Sequence, residues 1–129
     1  MSGDARGPLP RIDRLCGTPA SVVRDDGTEF ARRAYVAERW ASRLVGLLGT
    51  RELNGDELLW IPRCGWVHTW GMGMPMSCAF LDAEGVVVRV VDPVPPWRVV
   101  GARGARTTVE GPAGMCRALR VGDRLGLGG

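Results

Sequence analysis

The 129-residue chain contains no lysine, so all 17 of its basic side chains are arginines. The formal net charge is +3, and the arginines are scattered along the chain without a basic run interleaved with aromatic residues. A nucleic-acid surface normally shows a clustered basic stripe. The sequence therefore predicts solvated surface charge and no nucleic-acid partner.

Long apolar runs are also missing, and the first residues, MSGDARGPLPRIDRL, lack the continuous hydrophobic segment of a secretory signal. A membrane-spanning helix needs ~20 consecutive apolar residues. We therefore expect a soluble, cytoplasmic protein with no membrane insertion. The four cysteines, at positions 16, 64, 78 and 116, form no CxxC pair and are expected to be reduced.

Turn-forming residues are abundant, with 19 glycines and 9 prolines, which favours short strands joined by turns. Alternating or continuous apolar segments bounded by turn residues predict the strands. These are Ser21–Arg24, Glu29–Val36, Leu58–Ile61, Pro75–Leu81, Val86–Val91, Trp97–Gly101, Thr107–Glu110 and Arg124–Leu127. One amphipathic helix is predicted over Ala37–Leu48, because Trp40, Leu44, Leu47 and Leu48 recur on one helical face.

We predict a flexible lead-in over residues 1–18 and a single globular domain over residues 19–129. The predicted fold class is β-rich α+β, a small antiparallel, partly open barrel or sandwich. The amphipathic helix is expected to pack on the sheet. A second, short helix is predicted near the C-terminus, over Met115–Leu119.

The stretch Trp60–Asp82, WIPRCGWVHTWGMGMPMSCAFLD, holds the only histidine, His68, together with Cys64 and Cys78. Its middle part, residues 62–75, is predicted to be irregular because glycines interrupt it, and we call it the central loop. Large apolar side chains beside one imidazole are typical of a pocket rim. They are equally typical of a buried crossover in a small β-domain.

Three kinds of chemistry are open to this stretch. Cys64 and His68 could be a thiolate–imidazole pair that acts in catalysis. Alternatively, Cys64 is a small buried side chain and His68 is hydrogen-bonded to the backbone. A zinc site that adds Cys78 and Cys116 has no CxxC anchor, so we predict no metal and no cofactor. The third possibility concerns a cluster of tryptophan and methionine side chains, which forms either an adaptable ligand pocket or the core of the domain itself. It comprises Trp66, Trp70, Met72, Met74 and Met76.

Several motifs occur in a recognisable order: RLVGLLG with Arg43, CGWVHTWGM with His68, Phe80-Leu81-Asp82, EGPAG beginning at Glu110, and VGD ending at Asp123. Over about residues 35–125 this order resembles the bacterial and archaeal domain of unknown function 192 (DUF192) family. The resemblance implies a compact β-rich domain and no particular reaction. Gly73 and Ser77 stand where the family pattern has a basic and an acidic residue, so a pocket here should be more apolar.

The central stretch contains no carboxylate between Trp60 and Leu81, which argues against an acid–base enzyme. Asp82 and Asp123 lie at turns and are interpreted as structural, and no role is assigned to Glu110.

The best hypothesis is a binding or accessory module for a small apolar ligand or a protein partner. Its predicted lining residues are Cys64, His68, Thr69, Trp70, Met72 and Arg43. The alternatives are an enzyme with a Cys64/His68 thiol site and a structural subunit of a larger assembly.

Overall fold

The structure, a computed structural model, describes residues 20–37, 57–68 and 75–128. Nine strands occur in these ranges. They are β1 (Ala20–Arg24), β2 (Glu29–Val36), β3 (Glu57–Pro62), β4 (Trp66–His68), β5 (Met76–Leu81), β6 (Val87–Val94), β7 (Val99–Gly101), β8 (Thr107–Pro112) and β9 (Leu125–Leu127). Seven strands form one sheet in the order β6-β5-β8-β3-β2-β1-β9, and β4 pairs with β7 in a second sheet. The β-rich class is therefore confirmed.

The two predicted hairpins are present, and aspartate side chains close both turns. β1 and β2 pair antiparallel, and Asp26 Oδ1 accepts hydrogen bonds from the Thr28 amide at 2.9 Å and the Thr28 hydroxyl at 2.6 Å. β5 and β6 also pair antiparallel, and Asp82 Oδ1 accepts from the amides of Glu84 at 2.8 Å and Val86 at 3.0 Å. The structural interpretation of Asp82 is thus confirmed.

The prediction of an entirely antiparallel sheet is wrong at one strand pair. β2 and β3 run parallel, with Ala34 opposite Leu58 and Val36 opposite Trp60. A parallel pair cannot be joined by a tight turn and needs a crossover of about a dozen residues or more. Residues 37–56 supply that length. No turn motif marks such a pairing in a sequence, which is why it was missed.

The two predicted helices have different outcomes. The amphipathic segment, with Trp40, Leu44, Leu47 and Leu48, lies outside the described residues except for Ala37, which directly follows β2. The described ranges contain no α-helix. The predicted C-terminal helix is a 3-10 helix over Met115–Ala118, preceded by Gly114 at a φ of 98°. Short helical pieces commonly take this tighter form.

The large sheet curls but does not close into a barrel. Its edge strands β6 and β9 have no ladder between them. The chain segments around the beginnings of these strands are joined by an isolated antiparallel bridge from Val86 to Arg124 and by backbone hydrogen bonds, such as the one from the Val87 amide to the Asp123 carbonyl oxygen at 2.7 Å. Strands from both ends of the sheet nevertheless contribute to one apolar cluster, as shown by Val22 of β1, Val87 of β6 and Leu125 of β9.

Both faces of the central strands are buried. On one face lie Leu59, Ile61, Cys78 and Phe80, and this face is covered by Val67 of β4. The opposite face is covered by the 3-10 helix and β9, and it carries Leu58, Trp60, Ala79, Leu81 and Val109. Two-sided burial explains why β3 and β5 are continuous apolar runs instead of alternating ones.

Strand β4 was not predicted, because three residues are too few to show a periodicity. Trp66 lies opposite Gly101, Val67 opposite Val100, and His68 opposite Val99. The β4/β7 pair therefore forms a small second layer over the large sheet.

The two-sided burial predicts a large energetic cost for truncation at Phe80, which is fully buried. Phe80→Ala should lower the free energy of unfolding by about 3–5 kcal/mol, since it removes a ring and leaves a cavity. Urea denaturation would measure this, with Val121→Ala, at an exposed site, as the control. A cost for Phe80→Ala as small as the control's would contradict the assignment of this residue to the core.

Candidate functional site

The central loop is fastened to the large sheet where it begins. The Cys64 amide donates to the Arg106 carbonyl oxygen at 3.1 Å, and the Thr108 hydroxyl donates to the Cys64 carbonyl oxygen at 2.8 Å. Gly65 fits closely there, because a Cβ at this position would lie 2.8 Å from the Ala105 carbonyl oxygen. The loop entry is therefore held above the sheet face that bears Thr108.

Of the predicted lining residues, the structure describes Cys64 and His68. The other four, Thr69, Trp70, Met72 and Arg43, lie outside the described residues.

The Cys64 thiol is half-buried and donates to the Trp66 carbonyl oxygen at 2.9 Å. In this arrangement the thiol hydrogen is directed to a backbone carbonyl oxygen.

His68 is half-buried on β4, and its ring lies beside that of Trp66, with centroids 6.1 Å apart and planes tilted by 36°. Because the two residues are separated by one position in a strand, their side chains share a face. This is the face directed away from Val67, which packs into the apolar cluster below.

Glu110 is the residue that the sequence analysis missed. It lies on β8 between Leu59 of β3 and Cys78 of β5, and it is fully buried. Within the described part of the chain, neither of its carboxylate oxygens has a hydrogen-bond partner. Such groups are rare in native proteins, and each calls for an explanation.

Burial raises the pKa of the Glu110 carboxyl group to about 8, because the surroundings disfavour the charged form. The group is therefore mainly a neutral carboxylic acid at pH 7. In this form it offers one hydrogen-bond donor and one acceptor.

Glu110 lies near the beginning of the central loop. It follows Thr108 by two positions in the same strand, so both side chains point to the same face. Thr108 holds the Cys64 carbonyl oxygen, and Cys64 and Val67 pack into the cluster that contains Cys78, the cross-strand neighbour of Glu110. The fold thus brings the buried carboxyl group and the beginning of the central loop together.

A second buried carboxylate shows the contrast. Glu57 is only 1% exposed, and its Oε2 atom accepts from the Tyr35 hydroxyl at 3.4 Å. The same oxygen lies 3.7 Å from Nη1 of Arg33. Glu57 therefore has partners that compensate its burial, whereas the described residues offer none to Glu110.

The two other buried thiols are unsuited to nucleophilic chemistry. Burial raises the pKa of the Cys116 thiol to about 12 and that of Cys78 well above its usual range. Both remain protonated at neutral pH, and the nucleophile is the thiolate. No group of three or more potential metal ligands occurs within residues 20–37, 57–68 and 75–128.

Ser77 has a structural role on the opposite face of β5. Its hydroxyl donates to Asp92 Oδ2 at 2.7 Å and accepts from the Cys116 amide at 2.8 Å, while Asp92 Oδ1 accepts from the Gly114 amide at 2.8 Å. These bonds tie the 3-10 helix to the sheet. An acidic residue in place of Ser77 would face Asp92 at this distance, and like charges this close disfavour ionisation of both.

Comparisons with known proteins identify the family but no activity. The family model DUF192, described as an uncharacterized ACR, matches residues 21–127, so the chain belongs to this family. The matched region begins earlier than the motifs suggested, because it includes the hairpin of β1 and β2. No significant match is found among curated proteins.

Two solved structures have the same fold. A protein of unknown function from Novosphingobium aromaticivorans DSM 12444 is 19% identical with a TM-score of 0.68, and the match covers 84% of this chain and 83% of that one. A proposed transcription regulator from Sinorhizobium meliloti 1021 is 18% identical with a TM-score of 0.70, covering 85% and 92%. Identities this low establish the fold alone. Among the described residues, no helix is long and apolar enough to cross a membrane.

The raised pKa of Glu110 predicts a pH-dependent stability. A carboxyl group with a pKa near 4.5 when unfolded and about 8 when folded binds more protons in the folded state between these values. The free energy of unfolding should therefore fall as pH rises through this window, by up to about 1.4 kcal/mol per pH unit. Glu110→Gln should remove this contribution.

Urea denaturation of both proteins at several values between pH 5 and pH 9 would test this, with Glu29→Gln, at an exposed position, as the control. The advantage of the Glu110→Gln protein over wild type should grow with pH, while Glu29→Gln should follow wild type. Parallel pH profiles for wild type and Glu110→Gln would contradict a raised pKa.

Proposed function

We propose that this chain is a small-ligand binding domain whose ligand contacts Glu110 between the large sheet and the central loop. The observation that carries the proposal is the fully buried Glu110 carboxyl group, which has no hydrogen-bond partner among the described residues. A group in this state gains hydrogen bonds when a ligand with matching polar atoms binds.

The ligand class follows from the protonation state of Glu110. A neutral carboxylic acid pairs best with a neutral group that carries a donor and an acceptor side by side, as a carboxamide does. The neighbours Leu59, Cys78 and Phe80 supply apolar contacts for the rest of the ligand. A charged ligand would lose its hydration in this apolar setting, which costs free energy.

The sequence-predicted lining completes the proposed site. Cys64 packs on the loop side of this site, and His68, Thr69, Trp70, Met72 and Arg43 stay predictions. Because Glu110 is fully buried, a ligand reaches it only through local opening of the surrounding structure. The catalytic alternative is less favoured, because the Cys64 thiol hydrogen is directed to a backbone carbonyl oxygen.

Three probes of nearly equal shape but different charge can test the proposal: benzamide, benzamidinium and benzoate. Ligand-observed NMR and thermal shift should detect benzamide binding, with an affinity on the order of millimolar for so small a molecule. Benzamidinium and benzoate should bind at least about tenfold more weakly, since each adds a charge to be desolvated.

Substitutions of Glu110 provide the second test. Glu110→Gln keeps a donor and an acceptor and should retain benzamide binding, whereas Glu110→Leu should weaken it by about tenfold or more. Glu57→Gln alters the other buried carboxylate and is the matched control. The proposal fails if no probe binds the native protein, if benzamidinium binds best, or if Glu110→Leu binds benzamide as well as wild type does.

A further inference from the structure

The outer face of the β4/β7 sheet presents large apolar side chains to solvent. Trp66 is 57% exposed and Val99 is 56% exposed, and Trp97, in the bend before β7, is 65% exposed. Tryptophan is enriched at binding interfaces, where its ring supplies a large apolar contact and its N–H a hydrogen bond. This surface lies on the opposite side of β4 from Val67, which points toward the core.

Strand pairing fixes the position of Trp66 on this face. Trp66 lies opposite Gly101, and a Cβ at Gly101 would stand 2.8 Å from the Trp66 Cβ. The absence of a side chain at Gly101 therefore leaves room for Trp66 beside the neighbouring strand.

Trp97 has a φ of 64°, which is an uncommon backbone conformation for a residue other than glycine.

Exposed arginines lie in the segments that adjoin these strands, and we name the whole surface the Arg–Trp face. It consists of Trp66, Trp97 and Val99 with the exposed residues Arg63, Arg89, Arg98, Arg103 and Arg106. Arg89 reaches it from β6, where its Nη1 donates to the Gly101 carbonyl oxygen at 2.6 Å. The Cys64 amide bonds the Arg106 carbonyl oxygen, so Arg63 and Arg106 lie at the same end.

Of the segments that build this face, only β6 carries an acidic residue, Asp92, which bonds the Ser77 hydroxyl and the Gly114 amide. Neither residues 58–81 nor residues 93–109 include an aspartate or a glutamate. The arginines are far apart in the sequence, which is why composition alone predicts only dispersed charge. The pairing of β4 with β7 brings the segments that carry them together, and the hydrogen bond to Gly101 adds Arg89.

We infer that the Arg–Trp face binds single-stranded nucleic acid. Guanidinium groups bind phosphate oxygens through paired hydrogen bonds, and both guanidinium and indole planes stack on bases. The combination of positive charge and exposed aromatic rings matches a flexible polyanion with unpaired bases. It does not match a duplex, whose bases are stacked on one another and out of reach of the indoles.

Two other partners fit this face less well. A purely apolar protein surface would bury the arginines without counter-charges, which is costly. An acidic peptide would pair with the arginines but has no planar groups to stack on two exposed indoles. The inference is independent of the proposed small-ligand site, because it concerns the solvent-facing side of β4 and makes no use of Glu110.

Fluorescence anisotropy with a labelled oligothymidylate of about a dozen nucleotides would test the inference at low salt. Native protein should bind it, and a duplex of equal length should bind more weakly. The Trp66→Ala/Trp97→Ala protein should lose about tenfold or more in affinity, since stacking contributes about 1–3 kcal/mol per base. The triple substitution Arg98→Gln/Arg103→Gln/Arg106→Gln should lower the slope of log affinity against log salt by about 2.

A matched control removes the same charge elsewhere: Arg32→Gln/Arg117→Gln/Arg120→Gln, at exposed positions outside this face. It should change affinity by less than about threefold, because it leaves the phosphate contacts of the Arg–Trp face in place. The inference is overturned if native protein does not bind the oligonucleotide, if the control triple weakens binding as much, or if poly-glutamate competes as well as oligothymidylate. Circular dichroism and urea denaturation would show that the variants are folded.

Discussion

Burial of both faces of strands β3, β5 and β8 is the constraint on which the rest of the structure depends. Every side chain of β5 is buried, as is every one of β3 except its last residue. A polar side chain in these strands cannot turn to solvent, so it needs a partner inside the protein. Ser77, Thr108 and Glu57 each have one. Glu110 differs from them in that the described residues supply none, and this difference separates a candidate site from ordinary core.

The same two-layer arrangement links the site to the loop above it. Thr108 and Glu110 lie on one face of one strand, so the residue that anchors the loop and the residue with unmet hydrogen bonds are neighbours. The small β4/β7 layer also has two different sides, because it covers the large sheet with one side only. Its inner side completes the core through Val67, and its outer side carries Trp66 and His68. A strand of three residues thereby packs on the core with one side and exposes aromatic rings on the other.

Local sequence was sufficient for most of the strands and for both hairpins, because apolar runs and the turns at Asp25-Asp26-Gly27 and Asp82-Ala83-Glu84-Gly85 are local features. The parallel pairing of β2 with β3 depends on a long connection, and no local sequence feature indicates it. Glu110 was missed for a similar reason. In Thr-Thr-Val-Glu it looks like the solvent side of an alternating strand, and only the burial of both faces makes it internal. The Arg–Trp face could not be predicted either, because it depends on the pairing of β4 with β7, whose residues are more than thirty positions apart in the sequence.

The pairing of β1 with β9 has a consequence for the order in which the chain can fold during synthesis. β1 and β2 emerge from the ribosome early, yet the outer edge of β1 is covered only by β9, where Val22 meets Leu127. Until about a hundred further residues have been added, β1 presents an open strand edge that can pair with a neighbouring chain. Such long-range contacts also slow folding, because a large loop must close before they form. Until β9 has been made and has paired with β1, this open edge leaves the nascent chain exposed to aggregation.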